Sequence, residues 1–209
     1  MTDRSDQPER PEQGPGGLPP ELPREPRERA RGAAPGATAI DFDPASPIKS
    51  YLYIVYLLFV YPQTFFRAMS VDGGYKQPWL FALFSVLISW VGVIIFYRST
   101  FLTALYPLAL LGILVFAGLV HFSATRLVGG KGAFQATFRV VAYTSFTIVF
   151  GPIPYLGLAA HIFGLYLIAH GLAAVHGMNL IRGGLAVLII EGALRLIQYQ
   201  MLGQVITQQ

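Results

Sequence analysis

The sequence predicts an all-α, polytopic membrane protein: a five-span helical bundle, an interfacial lead-in helix before it and a disordered N-terminal tail. Three observations predict this fold. The 209-residue chain is 54% hydrophobic and only 12% charged, whereas soluble domains are about a quarter charged. Five mostly apolar segments follow residue 77, and each has about the 20 residues that a membrane span needs. The first 46 residues, in contrast, contain nine prolines and few large aliphatic side chains.

Residues 1–46 form the predicted disordered tail, which carries six arginines and nine acidic residues. A segment with so few apolar side chains cannot bury enough surface to offset the entropy lost on ordering. It also lacks the apolar central region of a signal peptide. We expect a solvated tether. The alternative is a docking site, because PELPREP at residues 20–26 contains the PxxP pattern of polyproline ligands.

The lead-in helix and its linker are predicted at residues 47–76. The apolar segment SYLYIVYLLFVYPQTFF, residues 50–66, is short for a span, and Pro62 interrupts it. Lys49 and Arg67 bracket this segment, and its four tyrosines are of a residue type that favours the headgroup zone. We therefore expect a broken helix that lies in the membrane interface. A sixth span here would move the tail to the other side of the membrane.

The membrane domain, residues 77–201, contains the five apolar segments, and a short C-terminal tail follows at residues 202–209. The linkers are short, as expected between antiparallel neighbours. Proline and glycine mark several of the ends. The predicted spans are Pro78–Tyr97, Phe101–Phe122, Phe134–Phe150, Ile153–Ala173 and Gly183–Met201.

The basic residues outside the spans predict the orientation. Six of them fall on one side of the membrane and only Arg98 falls on the other. Lysine and arginine accumulate on the cytosolic side, so the N-terminus is expected in the cytosol. Five spans then place the C-terminus outside. The six residues are Lys49, Arg67, Lys76, Arg126, Lys131 and Arg182.

The glycine-rich stretch GGKG at residues 129–132 raises the question of a nucleotide-binding loop. A Walker A loop follows a strand and reads G-x-x-x-x-G-K-[ST]. Here Thr125 stands where its first glycine would be, and Gly132 replaces the hydroxyl residue after Lys131. The preceding segment is a predicted membrane helix. We therefore expect a cytosolic turn, with Lys131 at headgroup depth.

The stretch GGKGAFQATFRVVAYTSF, followed by IPYLG, resembles the Yip domain family. These are Ypt/Rab-GTPase-interacting membrane proteins and their bacterial relatives. The resemblance covers about residues 50–198 and includes YPQTFFRAMS, which looks like the family's lead-in helix. The positions that carry it are Gly130, Lys131, Phe134, Arg139, Ala142, Tyr143, Ile153, Pro154 and Gly157.

The resemblance implies five spans, a cytosolic N-terminus and a non-catalytic role as a membrane organiser or adaptor, similar to trafficking factors in eukaryotic members. The cysteine-free chain and its tail rich in Ala, Gly, Arg and Pro look more like a bacterial member, located in the cytoplasmic membrane. For such a member the GTPase partnership is not carried over. The expected partners are the lipid bilayer and either another membrane protein or a second copy of the chain.

Charged side chains inside predicted spans need a reason, because burying charge in a bilayer is costly. Arg139 is close enough to the start of its span for its long stem to reach the cytosolic surface. Glu191 lies near the middle of the fifth span, with Arg195 one turn later, a spacing that permits an ion pair. Helix packing through small residues would place His161 beside Glu191. Two interpretations remain open: a structural clamp between helices, and a proton or ion site.

The sequence contains no recognisable catalytic, cofactor or metal site. It has no cysteine, its four histidines have no metal-ligand spacing, and it has no G-x-S-x-G motif. The basic excess belongs to the apolar part of the chain, which indicates membrane-side charge rather than binding of nucleic acid. We expect a non-enzymatic organiser or adaptor. The alternative is a small transporter or channel subunit with a polar path through Glu191, His161 and Arg139.

Overall fold

The computed structural model describes residues 40–207, apart from the side chains of Leu102 and of residues 201–207. Within this range the chain is helical, and its one β-type contact is an isolated bridge between Ile40 and Met69. The predicted all-α membrane fold is confirmed. Most of the predicted disordered tail, residues 1–39, lies outside the described residues.

Eight α-helices follow one another in the described residues, and three of them have more than 20 residues. The helices are α1 Pro47–Val60, α2 Pro62–Ala68, α3 Lys76–Tyr97, α4 Thr100–Leu105, α5 Ala109–Phe122, α6 Phe134–Thr144, α7 Leu156–His176 and α8 Leu180–Thr207. A 3-10 turn, Tyr106–Leu108, joins α4 to α5; α5 continues into a wide turn, Ser123–Leu127; and a 3-10 segment, Ser145–Phe150, follows α6.

Three segments of the described chain are long and apolar enough to cross a membrane: Lys76–Tyr97, Thr103–Leu127 and Leu156–His176. The other two predicted spans have a different form. Residues 134–150 are divided between the 11-residue helix α6 and a 3-10 segment. The fifth lies within α8, a 28-residue helix that carries the charged cluster described below. The count of five spans therefore remains a prediction.

The lead-in segment breaks where proline predicts it. Helix α1 ends before Tyr61 and α2 begins at Pro62, because proline cannot donate the backbone hydrogen bond that would continue α1. Both helices pack into the bundle: Ile54, Leu58 and Phe65 are fully buried. The opposite face of α1 is apolar and exposed, so an interfacial position for this helix remains a prediction.

Glycines permit close packing in the centre of the bundle. A Cβ atom at Gly171 on α7 would collide with the side chain of Val140 on α6, and one at Gly183 on α8 would collide with the Ala169 carbonyl on α7. Small residues at such crossings let membrane helices approach each other closely. They position α6, α7 and α8 against one another and thereby bring together the polar side chains of these helices.

An aromatic core surrounds the C-terminal end of α6. The Tyr143 ring packs edge-on against Phe65 of α2 and Phe81 of α3, with centroid separations of 5.4 and 5.1 Å. Aromatic pairs of this geometry add roughly 0.5–1.5 kcal/mol beyond their burial. The lead-in helices and α3 thus hold α6 in place, and they fix the direction of its polar side chains.

Candidate functional site

Glu191 of α8 lies between His161 of α7 and Arg195 of its own helix. Its Oε1 atom accepts hydrogen bonds from His161 Nε2, at 2.9 Å, and from Arg195 Nε, at 2.8 Å. The Glu191 side chain is 16% exposed, whereas those of His161 and Arg195 are 41% and 60% exposed. The structure therefore brings these three predicted residues together, and we call them the charged cluster.

The hydrogen bonds of the charged cluster determine the protonation of its imidazole. An ionised Glu191 carboxylate only accepts, so a hydrogen bond to it requires the His161 tautomer that is protonated on Nε2. The Nη2 atom of Arg195 lies 3.3 Å from this same nitrogen, which is already a donor and cannot accept. Arg195 Nη1 bonds Gln198 at 3.2 Å, so the Nη2 amine remains the spare donor of the cluster.

Arg139, the third residue of the polar path considered as an alternative, does not belong to the charged cluster. Its side chain is fully buried, pairs with Asp41 at 2.5 Å through Nη2, and donates from Nη1 to the Gly74 carbonyl at 2.7 Å. The predicted extension of this side chain to the cytosolic surface is therefore wrong. The physical reason is that two segments preceding α3 supply acceptors inside the protein, and pairing offsets part of the cost of burying the charge.

Tyr143 binds the same carboxylate. It stands one turn after Arg139 on the same face of α6, donates its phenolic hydrogen to Asp41, and accepts the Phe42 backbone N–H at 3.2 Å. Gly73 lies close by, and a Cβ there would stand 3.1 Å from both Arg139 and Asp41. We call Asp41, Arg139 and Tyr143 the N-terminal anchor, because they attach the segment before α1 to the membrane domain.

Sequence reasoning missed Asp41, because the predicted boundary of the disordered tail falls at residue 46. Residues 40–43 instead belong to the folded part: Phe42 is only 3% exposed, and Ile40 N–H donates to the Ala68 carbonyl. The sequence did contain a sign that this segment is folded. Ile40 and Phe42, which flank Asp41, are large apolar residues in a region otherwise poor in them.

The Gly130-Lys131 turn is held by His176, which lies at the end of α7, beyond the fourth predicted span. Gly132 N–H donates to His176 Nδ1 at 2.9 Å, and Gly130 N–H donates to the Ala124 carbonyl at 2.7 Å. His176 Nε2 in turn lies 2.8 Å from the Thr137 hydroxyl. Gly129 has a φ of +78°, a conformation that glycine adopts readily. Lys131 itself is exposed.

The Pro154 turn begins α7 and borders a cleft of about 580 Å³. Tyr155, directly after the proline, has a φ of +64° and is 93% exposed. Tyr97 at the end of α3, Tyr106 and the cluster residue His161 also line the cleft. The charged cluster is therefore adjacent to an open space that could accept a ligand. Among the described residues, no three His, Asp or Glu side chains assemble as metal ligands.

Comparison with known proteins yields one match. Residues 56–199, more than half of the chain, match the family model of the Yip1 domain. No curated protein and no solved structure matches the chain significantly. The matched range contains Arg139, Tyr143 and the charged cluster, whereas Asp41 lies outside it.

Proposed function

The chain belongs to the Yip1 domain family and is an integral membrane protein, and we propose that it acts as a non-catalytic membrane organiser or adaptor. In this role it presents its N-terminal tail to a partner from a fixed point on the membrane domain. The partner is a membrane-associated protein or a second copy of the chain. The observation that carries the proposal is the N-terminal anchor.

The anchor is a more elaborate attachment than a passive tether requires. A solvated linker needs no contact with the domain it leaves, and burying a guanidinium group is costly. Here fully buried Arg139 and Tyr143 both engage the Asp41 carboxylate, and Phe42 is buried beside them. A partner bound to residues 1–39 would therefore be held at a defined place near the bilayer. Such tethering raises its effective concentration at the membrane.

The position of Arg139 also favours an adaptor over a transporter or channel subunit. The alternative requires a polar path through Glu191, His161 and Arg139. In the described part of the chain, Arg139 bonds Asp41 and Gly74 and has no bonding partner in common with the charged cluster. These charged groups therefore lie in two separate places rather than along one path.

Site-specific photocrosslinking in native membranes tests the proposal. A photoreactive amino acid replaces Leu22 in the tail of the full-length protein, and crosslinked proteins are identified and quantified. We expect one dominant partner, and we expect its yield to fall several-fold in the Asp41→Ala variant, which releases the anchor. Asp72→Ala, which removes an exposed carboxylate near the same loop, is the matched control.

Two results would contradict the adaptor role. One is a crosslinked set that only mirrors the abundance of proteins in the membrane and does not respond to Asp41→Ala. The other is pH-driven ion flux in liposomes that contain the purified protein, if Glu191→Gln abolishes it. The second result would support a transporter instead.

A further inference from the structure

The cleft beside the Pro154 turn has the size and lining of a ligand site. Its volume of about 580 Å³ lies within the roughly 300–1,000 Å³ range of small-molecule sites. Apolar side chains and tyrosines supply most of its wall, and a histidine of the charged cluster supplies a polar edge. The lining residues include Val93, Tyr97, Ile148, Leu158 and His161.

Next to this cleft, the charged cluster has two polar atoms that can bind a ligand. The recorded contact of Arg195 Nη2 is with His161 Nε2, at 3.3 Å, and in the tautomer that donates to Glu191 this nitrogen cannot accept. Glu191 accepts both of its hydrogen bonds through Oε1, which leaves Oε2 unused. The cluster therefore offers one donor that suits a phosphate and one acceptor that suits an ammonium group.

The charged cluster lies about 8 Å inside one edge of the hydrocarbon core, a distance over which a long side chain such as that of Arg195 can reach the lipid headgroups. Arg195 lies fifteen residues after the start of α8, which is about 22 Å along the helix. His161 lies five residues after the start of α7, or about 8 Å from the opposite end of the bundle. The hydrocarbon core is about 30 Å thick. Tyr97 and Tyr155 mark the same end of the bundle, where interfacial tyrosines are expected.

From this geometry we infer that the protein binds one zwitterionic phospholipid with a primary-amine headgroup, such as phosphatidylethanolamine, in the leaflet opposite the Gly130-Lys131 turn. Its phosphate lies at Arg195 Nη2, its ammonium group at Glu191 Oε2, and its glycerol and upper acyl portion in the cleft. The cluster is neutral as a whole when Glu191 and Arg195 are both ionised, so a zwitterion matches its charge better than an anion. The inference requires only a bilayer location and does not depend on an adaptor role.

Native mass spectrometry of the full-length, detergent-solubilised protein tests this site. The protein is titrated with phosphatidylethanolamine, with phosphatidylglycerol, which lacks the amine, and with diacylglycerol, which lacks the phosphate. We expect one tightly bound phosphatidylethanolamine. In Arg195→Gln its affinity should fall roughly tenfold, since bonds to charged groups are among the stronger ones. Arg182→Gln, which changes an exposed arginine elsewhere on α8, should bind like the parent.

A second pair of variants tests the cleft. Leu158→Trp places a larger ring at a lining position that is 65% exposed, and it should reduce lipid binding without affecting the fold. Ile162→Trp adds the same ring at a 60% exposed position on the same helix that does not line the cleft, so its binding should not change.

Four outcomes would overturn the inference. If Arg195→Gln and Arg182→Gln bind phosphatidylethanolamine equally well, Arg195 does not bind the phosphate. If the parent protein binds phosphatidylglycerol as tightly as phosphatidylethanolamine, Glu191 does not bind the amine. Equal effects of the two tryptophan variants would exclude the cleft. Displacement of the lipid by millimolar phosphoethanolamine, which has no acyl chains, would identify a site for a soluble anion rather than for a lipid.

Discussion

Removing the Asp41 carboxylate should destabilise the membrane domain by about 3 kcal/mol, the lower part of the range for breaking a buried ion pair. Arg139 is fully buried and Asp41 is 21% exposed, so water screens the pair only partly. In Asp41→Ala, the guanidinium group keeps one bond, to the Gly74 carbonyl. The Tyr143 hydroxyl loses its acceptor as well, a loss that typically costs about 1–3 kcal/mol for a buried group.

The segment before α1 could respond by detaching, but this relaxation has its own cost. Detachment would let water reach Arg139 and reduce the penalty for its charge. It would also expose Phe42, which is 3% exposed in the fold, and burial of such a side chain is worth about 1.5–3 kcal/mol. Whether the segment stays attached or detaches, the free energy of unfolding should therefore fall by about 2–3 kcal/mol.

Equilibrium unfolding of the full-length protein in mixed micelles, with increasing SDS, measures this change. Asp72→Ala serves as the control because Asp72 is exposed, and a surface change of this kind is expected to stay within about 0.5 kcal/mol. A double-mutant cycle with Arg139→Met isolates the pair: the double variant should lose less than the sum of the single variants. If Asp41→Ala is as stable as Asp72→Ala, the N-terminal anchor does not contribute to stability and the reasoning fails.

Glu191→Gln should lose little stability, because an amide still accepts from His161, whereas Glu191→Leu should lose about 1 kcal/mol because both neighbours, which are 41% and 60% exposed, lose their acceptor. Thermal unfolding in detergent compares them, and equal stability of Glu191→Leu and the parent would exclude a clamp. Gly171→Ala should destabilise the protein by about 1 kcal/mol or more through overpacking. Gly184→Ala, which has open space around it, should stabilise the protein by up to about 1 kcal/mol because alanine has the higher helix propensity. If thermal unfolding shows that both variants are more stable than the parent, Gly171 is not closely packed. A topology reporter fused after Gln209 should be active only outside the cytosol if five spans are correct, and cytosolic activity would reject that count.

Properties that depend on local composition could be predicted from the sequence. The length and apolarity of the segments predicted the three segments that are long and apolar enough to cross a membrane, since about 20 apolar residues suffice to cross a bilayer. Proline predicted the break between α1 and α2, because its ring removes a backbone donor wherever it stands. The resemblance to the Yip family rested on a short pattern around α6, and the family match over residues 56–199 confirms it.

Properties that depend on contacts between distant residues could not be predicted. Asp41 and Arg139 are 98 positions apart, and no periodicity in the sequence connects them. His176 lies beyond the fourth predicted span, and only the fold places its Nδ1 atom beside Gly132. The third predicted span shows another limit: hydropathy measures how apolar residues 134–150 are, but it does not reveal that the helix changes to a 3-10 segment at Ser145.

The two polar sites lie toward opposite ends of the bundle. Arg139 is five residues from the start of α6, and the turn before that helix bonds His176 at the end of α7. His161, in contrast, is five residues from the start of α7. Between these levels the buried side chains are mostly apolar, such as Phe146 and Leu167, and the buried hydroxyls of Ser89, Thr144 and Ser145 bond backbone carbonyls. Charged contacts toward the two ends of the bundle, with a mostly apolar centre between them, favour the proposed adaptor over a transporter or channel subunit.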